Sequence, residues 1–262
     1  MKRIIAVVAC VGLLGFFGGA VAERNGHLDW VSNASPFSAN TAVEMPRVVP
    51  YHAVLAAGDA SIPNFDNAVM ALSGRLHRLG IDANLLTSDP KKVTEWRGLA
   101  TANRIDVLFN QMVLKPSEGC LVFVTSHGSI RGLSMAVDDD EYNVLTPRRL
   151  AGVLTRHCED APTVAILSGC HSGTFLTPQM EADNRIILTA ARYDRTSFGC
   201  SADYVYTYFD ECFLEAIAEP GTWLTIFNRT KDCVAAKERR NGVTPSLPQA
   251  YFGEAVRDLG IN

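Results

Sequence analysis

The sequence predicts one α/β domain in which a mostly parallel central sheet carries helices on both faces. Short runs of apolar residues, typical of strands that are buried on both faces, occur at residues 120–125 and 163–167. Between such runs lie segments in which apolar residues recur at helical spacing, as in residues 64–79. This alternation of strands and helices favours a parallel sheet, because each connecting helix returns across one face of the sheet.

The strands are predicted from apolar runs that are bounded by turn residues. The first run ends at Gly58, and the later runs are short enough to be strands rather than helices. Three of them consist almost wholly of apolar residues, as expected for the centre of a parallel sheet. The predicted strands span residues 47–57, 83–87, 120–125, 163–167 and 185–190.

The helices are predicted from amphipathic spacing and from residues that begin or end a helix. Gly80 ends the first helix, and Thr146 followed by Pro147 begins the third. Pro220 and Gly221 separate the last two helices. The predicted helices span residues 64–79, 101–114, 147–157, 204–218 and 223–240.

The composition is that of a globular protein and disfavours several functional classes. The chain has 262 residues, of which 47% are hydrophobic and 20% are charged, so it can bury a sizeable core. The formal net charge is −4, whereas nucleic-acid-binding domains are usually basic, so we expect no nucleic-acid partner. Beyond the N-terminus, no uncharged apolar stretch is long enough to span a membrane.

Residues 1–22 have the pattern of a secretory signal peptide. Lys2 and Arg3 precede an apolar run over residues 4–17, and small residues at 20 and 22 frame a cleavage site. We therefore expect an exported protein, periplasmic or secreted, that has no membrane contact after signal removal. Residues 23–46 are polar and irregular and are interpreted as an N-terminal arm, and residues 47–262 as the folded domain.

Candidate catalytic residues follow the ends of two buried strands. His127 and Gly128 follow the first strand, and Cys170 follows the second. In a parallel sheet such strand ends share one edge, where functional groups collect. A thiol becomes a nucleophile when an imidazole accepts its proton. The backbone amides of Gly128 and Cys170 are candidates for an oxyanion hole, so this pattern indicates acyl transfer, of which peptide hydrolysis is the commonest case.

The candidate catalytic residues and a nearby acidic run also allow other interpretations. A single cysteine after an apolar strand is usually a core residue or half of a disulfide, but the pairing with His127 at a second strand end favours catalysis. His127, Cys170 and His171 could bind zinc, although no CxxC or HExxH spacing accompanies them. The acidic residues 138–141 could bind calcium, but such runs are more often solvated loops. We therefore expect neither a metal nor a cofactor.

The motifs around these residues resemble those of the legumain-like cysteine peptidases. The strings Thr-Ser-His-Gly at 125–128 and Gly-Cys-His-Ser-Gly at 169–173 resemble the catalytic motifs of that family, which includes the catalytic subunit of the GPI transamidase. Further segments extend the resemblance over about residues 48–215: residues 56–58 and 77–80, 189–192 and 196–200, and 203–206. The resemblance implies a caspase-like three-layer α/β/α sandwich, with Cys170 as nucleophile and His127 as general base and acid.

The resemblance also implies where substrate binds. Asp203 would lie in the pocket for the residue before the scissile bond, and we assign Ser197 and Asp66 to substrate binding as well. The first loop lacks the arginine that legumain uses in its pocket, and His171 stands where legumain has a glutamate. The Cys-His-Ser-Gly-Thr string instead resembles metacaspases, whose acidic pocket accepts Arg or Lys. An acidic Asp203 predicts a basic substrate residue by charge complementarity.

A third residue that orients His127 is not singled out by the sequence. Asn64 or Asp66 could do so from the start of the first helix, although we favour Asn64 as the cap of that helix. Asp59, near the end of the first strand, is an equal alternative.

The remaining cysteines suggest two disulfides. Cys120 and Cys158 lie at the sheet edge opposite the predicted active site, and Cys212 and Cys233 lie on two adjacent helices. Catalysis requires a free Cys170, and Cys200 is left without a predicted partner.

The sequence as a whole favours an exported cysteine endopeptidase that acts on peptide or protein substrates. A transamidase or peptide ligase could use the same dyad, because it differs only in whether water or an amine accepts the acyl group. A catalytically inactive caspase-like binding module is the alternative from another class. The sequence does not indicate an oligomeric state.

Overall fold

The computed structural model describes residues 46–136 and 143–261. The predicted signal peptide, nearly all of the predicted arm and the acidic residues 138–141 lie outside these ranges. The strands are β1 (Arg47–Val48), β2 (Tyr51–Ala57), β3 (Ala83–Thr87), β4 (Arg97–Leu99), β5 (Gly119–Thr125), β6 (Gly128–Ser129), β7 (Gly132–Ser134), β8 (Val144–Leu145), β9 (Thr163–Ser168), β10 (Arg185–Thr189), β11 (Gln249–Phe252) and β12 (Leu259–Gly260). The α-helices are α1 (Asn64–Arg78), α2 (Ala102–Gln111), α3 (Pro147–His157), α4 (Tyr208–Ala216) and α5 (Trp223–Asn241).

The central sheet has the strand order β11-β10-β9-β5-β2-β3-β4. All neighbouring pairs are parallel except β10 and β11. Two smaller groups of strands, β6-β7-β8 and the pair of β1 with β12, lie outside this sheet. The predicted mostly parallel sheet is thereby confirmed.

Alternate residues of each central strand face opposite sides of the sheet, because strand side chains have a period of two. In β5, Leu121 and Phe123 join the core on the side of α1, α4 and α5. Val122 and Val124 join the core on the side of α2 and α3. The predicted three-layer sandwich follows, since both faces of the sheet carry apolar side chains that need cover.

One helix has its predicted bounds, whereas the boundaries of several other elements differ from the prediction for local reasons. Helix α3 matches residues 147–157, and its cap Thr146 accepts a hydrogen bond from the backbone N–H of Arg149 at 3.2 Å. Helix α4 begins at residue 208 rather than 204, because the carbonyls of the preceding segment bond to a side chain of α1. The first predicted strand is interrupted before Tyr51, so its start becomes the separate strand β1.

Both predicted disulfides are confirmed. Cys120 is joined to Cys158 and Cys212 to Cys233, with Cα–Cα distances of 6.1 and 5.6 Å. Among the described residues, no helix is both long and apolar enough to cross a membrane.

Candidate active site

The two candidate catalytic residues follow neighbouring strands at one edge of the sheet. β5 and β9 are parallel and adjacent, and their last residues, Thr125 and Ser168, are paired in register. His127 and Cys170 therefore each lie two residues beyond the same level of the sheet. This is the arrangement that the sequence predicts from the two buried runs.

The loops that carry these residues are in direct backbone contact. A Cβ atom at Gly128 would lie 2.0 Å from the carbonyl oxygen of Cys170 and 3.0 Å from its backbone nitrogen. Only glycine allows such an approach, because any larger residue would push the two loops apart. The contact places the backbones of both proposed oxyanion-hole residues side by side.

The thiol of Cys170 is half-buried and interacts with the backbone of Ser197. The N–H of Ser197 donates to the Cys170 Sγ at 3.3 Å, and the protonated thiol can donate to the Ser197 carbonyl oxygen at 3.6 Å. Ser197, predicted to bind substrate, thus contacts the candidate nucleophile through its main chain.

The surroundings of Cys170 favour its thiolate form. The hydrogen bond from Cys200, followed by the contacts with the Ser197 backbone, lowers the pKa of Cys170 to about 6 despite partial burial. A thiolate is the reactive form of cysteine, so these contacts prepare a nucleophile near neutral pH. The same interaction, together with burial, raises the pKa of Cys200, which therefore stays a protonated donor.

His127 is held by contacts that the sequence did not predict. The Oγ of Ser61 lies 3.3 Å from its Nε2, and the ring packs edge-on against Phe65 with centroids 5.2 Å apart. Asp59 does not contact the imidazole itself, but its Oδ1 accepts a hydrogen bond from the Ser61 backbone N–H at 2.7 Å. An Asx turn of this kind is common where Asp precedes Ser by two residues, which is the signal that could have indicated Ser61.

The expected helix cap at Asn64 is wrong, because Pro63 occupies the cap position and Asn64 is the first residue of the helix. The Asn64 side-chain amide instead donates to the carbonyl oxygens of Gly199, Ser201 and Tyr204, at 3.0, 3.1 and 2.7 Å. Asn64 thereby fixes the loop that contains Asp203. The Asp203 side chain is exposed, and within the described residues its carboxylate has no hydrogen-bond or ion-pair partner.

Asp66, which the sequence assigned to substrate binding, is paired with positively charged side chains. Its carboxylate binds Lys92 at 2.6 Å and also Arg97, and it accepts a hydrogen bond from Thr87. These partners belong to β3, β4 and the connection between them, so the charge of Asp66 is already paired. The sequence left open that Asp66 orients His127. Its carboxylate oxygens are bound by these other residues instead.

The segment after Cys170 turns sharply and is fastened to the loop that follows β10. His171 has a left-handed backbone with φ of 58°. Its backbone N–H donates to the Arg195 carbonyl at 2.8 Å, and its Nδ1 lies 2.8 Å from the Tyr193 carbonyl. These bonds align the two loops beside the thiol. In the described parts of the chain, no cluster of three or more His, Cys, Asp or Glu side chains is arranged to hold a metal ion.

Comparisons with known proteins agree with this geometry. The model of the Peptidase C13 family matches residues 100–256, which is more than half of the chain and includes both candidate catalytic residues. The chain belongs to the Peptidase C13 family. It is a cysteine-type peptidase, and the resemblance to legumain-like enzymes is confirmed.

The fold is that of caspases. The crystal structure of caspase-1 from Spodoptera frugiperda matches with a TM-score of 0.57 and 15% sequence identity, over 79% of this chain and 88% of that one. At this identity the match concerns the fold alone. No curated protein matches the sequence.

Proposed function

We propose that this C13 peptidase is an exported endopeptidase that cleaves after basic residues, with Cys170 as nucleophile and His127 as general base and acid. The contact between the Ser197 amide and the Cys170 thiol, at the strand end beside His127, carries the proposal. The two disulfides support export, because such bonds are typical of oxidising compartments.

The proposed reaction proceeds through a thioester. The Cys170 thiolate attacks the peptide carbonyl, and the backbone N–H groups of Gly128 and Cys170 stabilise the resulting oxyanion. His127 donates a proton to the leaving amine and then removes one from the water that hydrolyses the thioester. Ser61 keeps the imidazole oriented during both transfers.

The proposed preference for Arg or Lys depends on Asp203. This carboxylate is unpaired within the described residues and lies three residues after Cys200, on the loop that Asn64 holds. The other acidic candidate, Asp66, is neutralised by Lys92 and Arg97. An uncompensated negative charge on the loop that also carries Cys200 attracts a substrate cation.

Fluorogenic peptides that differ only in Arg, Lys, Asn or Asp before the leaving group test this proposal. We expect the Arg and Lys peptides to be cleaved best, and Asp203→Asn to lower kcat/KM for them by about 10- to 100-fold. Asp160→Asn is a matched control, because Asp160 is exposed in the turn before β9, at the opposite end of the sheet. Faster cleavage after Asn than after Arg and Lys, or an equal effect of both variants, would contradict the proposed specificity.

A further inference from the structure

Two free thiols lie together in this site, although the other cysteines in the described ranges are paired. Within those ranges, Cys170 and Cys200 are free, whereas two disulfides join the remaining four cysteines. Both thiols approach one carbonyl oxygen, that of Ser197, at 3.6 Å from Cys170 and 3.9 Å from Cys200. Each thiol also shifts the pKa of the other, which is lowered for Cys170 and raised for Cys200.

The backbone brings Cys200 to this position by a specific turn. Gly199 has a φ of 86°, a conformation that other residues rarely adopt, and a Cβ there would lie 2.8 Å from the Tyr208 nitrogen. The Asn64 side chain holds the carbonyls on both sides of Cys200, those of Gly199 and Ser201. The fold therefore holds Cys200 at the same Ser197 carbonyl oxygen that the Cys170 thiol approaches.

We propose that Cys170 and Cys200 form a redox modification site, in which a hydroperoxide oxidises Cys170 and a Cys170–Cys200 disulfide then reversibly switches the peptidase off. The inference rests on the proposed role of Cys170 as nucleophile. It adds a second substrate class, hydroperoxides, that the same thiolate attacks.

The chemistry has two steps. The Cys170 thiolate attacks one oxygen of the hydroperoxide, so that an S–O bond forms, the O–O bond breaks and the departing oxygen takes up a proton as an alcohol or water. The Cys200 sulfur then attacks the resulting sulfenic acid, so that the S–S bond forms and the S–O bond breaks. The hydroxide that leaves combines with the Cys200 proton to give water, and the two thiols have lost two electrons to the peroxide.

The environment suits each cysteine to its step. The half-buried, low-pKa thiolate of Cys170 is the more reactive toward peroxide. The contact that most raises the pKa of Cys200 is the one with Cys170, and it weakens once Cys170 becomes a neutral sulfenic acid. A reducing dithiol would attack the Cys200 sulfur and release Cys170, because the thiol of lower pKa is the better leaving group.

The test compares the reduced protein with Cys200→Ser, a matched variant that keeps a hydrogen-bonding group but cannot form the disulfide. Each protein is treated with hydrogen peroxide, its free thiols are blocked with N-ethylmaleimide, and peptides from a non-reducing digest are mapped by mass spectrometry. Peptide cleavage is measured before peroxide, after it and after added dithiothreitol, relative to the starting activity of each protein.

For the wild type we expect a cross-linked Cys170–Cys200 peptide, about 2 Da lighter than the two thiol peptides together, and activity that is lost and then restored by dithiothreitol. For Cys200→Ser we expect the loss to persist, with Cys170 carried on to sulfinic or sulfonic acid. The Cys120–Cys158 and Cys212–Cys233 peptides provide internal controls in both samples.

Oxidation of wild-type Cys170 without a link to Cys200, no oxidation of Cys170 at all, or equal recovery of both proteins would overturn the modification site. The mapping does not need enzyme activity, so the two proposals fail separately. A cross-link in a protein that cleaves no peptide would support the modification site and contradict the proposed function. Rapid cleavage without any cross-link would support the proposed function and contradict the modification site.

Discussion

The two ends of the β5–β9 strand pair both carry cysteines, but in different chemical states. At the amino end, Cys120 and Cys158 are buried and joined in a disulfide. At the carboxyl end, Cys170 and Cys200 are half-buried and free, and both thiols approach the Ser197 carbonyl oxygen. One end is thus cross-linked and surrounded by apolar core, whereas the other keeps two thiols free, of which we propose Cys170 as the nucleophile.

The two ends of the strand pair divide stability and reactivity between them. The amino end needs only to hold the layers together, and a buried disulfide does this by restricting the unfolded chain. The carboxyl end must bring backbone amides, a thiol and an imidazole together without filling the space between them. It therefore uses glycine contacts and hydrogen bonds to main-chain atoms, as at Gly128 and Ser197.

The largest effect is expected when a side chain is added between the loop that follows β5 and the loop that follows β9. In Gly128→Ala the new methyl group would overlap the Cys170 carbonyl, so we expect kcat/KM to fall by about 10²- to 10³-fold. Gly74→Ala is the matched control, since the nearest atom to its Cβ is the end of the Arg78 side chain at 3.9 Å. It should keep full activity and unfold at the same or a higher urea concentration. Equal activity of the two variants would contradict the proposed loop contact.

Removal of the disulfide at the amino end of the β5–β9 strand pair should lower the stability of the protein rather than its catalytic rate. We expect the double variant Cys120→Ala/Cys158→Ala to lose about 2–4 kcal/mol of unfolding free energy in urea titrations. Its kcat/KM per folded molecule should stay within about twofold of the wild type, because this end is remote from Cys170. A large loss of kcat/KM in the fully folded variant would show that the two ends are coupled.

The lowered pKa of Cys170 predicts that the alkylation rate of this thiol, at the carboxyl end of the strand pair, depends on pH. Because its pKa is lowered to about 6 and the thiolate is the reactive form, alkylation by iodoacetamide should accelerate as pH rises through about 6 and then level off. In Cys200→Ala the midpoint should move upward, toward that of an ordinary thiol, since the main stabilising hydrogen bond is lost. Stopped-flow alkylation, with the site checked by mass spectrometry, measures both midpoints, and identical midpoints would exclude the role of Cys200.

The smallest effect is expected for the contact that orients His127. Ser61→Ala removes one hydrogen bond of 3.3 Å, so we expect kcat to fall by about three- to tenfold with little change in KM. Ser61→Thr, which keeps the hydroxyl, should recover most of the rate. Steady-state kinetics that show a change in KM alone would assign Ser61 to substrate binding instead.

The sequence was most informative where local pattern determines structure. Buried apolar runs predicted the central strands and placed His127 and Cys170 at one edge of the sheet. Cys120 and Cys158 were both predicted at the edge opposite that site, and this was enough to pair them. The small sheet β6-β7-β8 and the edge strands were missed, because strands of two to four residues carry little periodic signal.

Hydrogen bonds from side chains to distant backbone carbonyls could not be predicted from the sequence. The role of Asn64 depends on carbonyls 135 to 140 residues away, and that of Cys200 on a left-handed turn at Gly199. Asp66 was assigned to substrate binding from the sequence, whereas tertiary structure pairs it with Lys92 and Arg97.

The most direct test of the central claim is trapping of the nucleophile. The protein is incubated in mild reductant with a peptide that carries an Arg residue and an electrophilic acyloxymethyl ketone, and the labelled residue is identified by mass spectrometry. We predict one label per molecule on Cys170, loss of peptide cleavage in step with labelling, and no label at this position in Cys170→Ala. Full cleavage activity in Cys170→Ala, or labelling of Cys200 with Cys170 left free, would contradict the account.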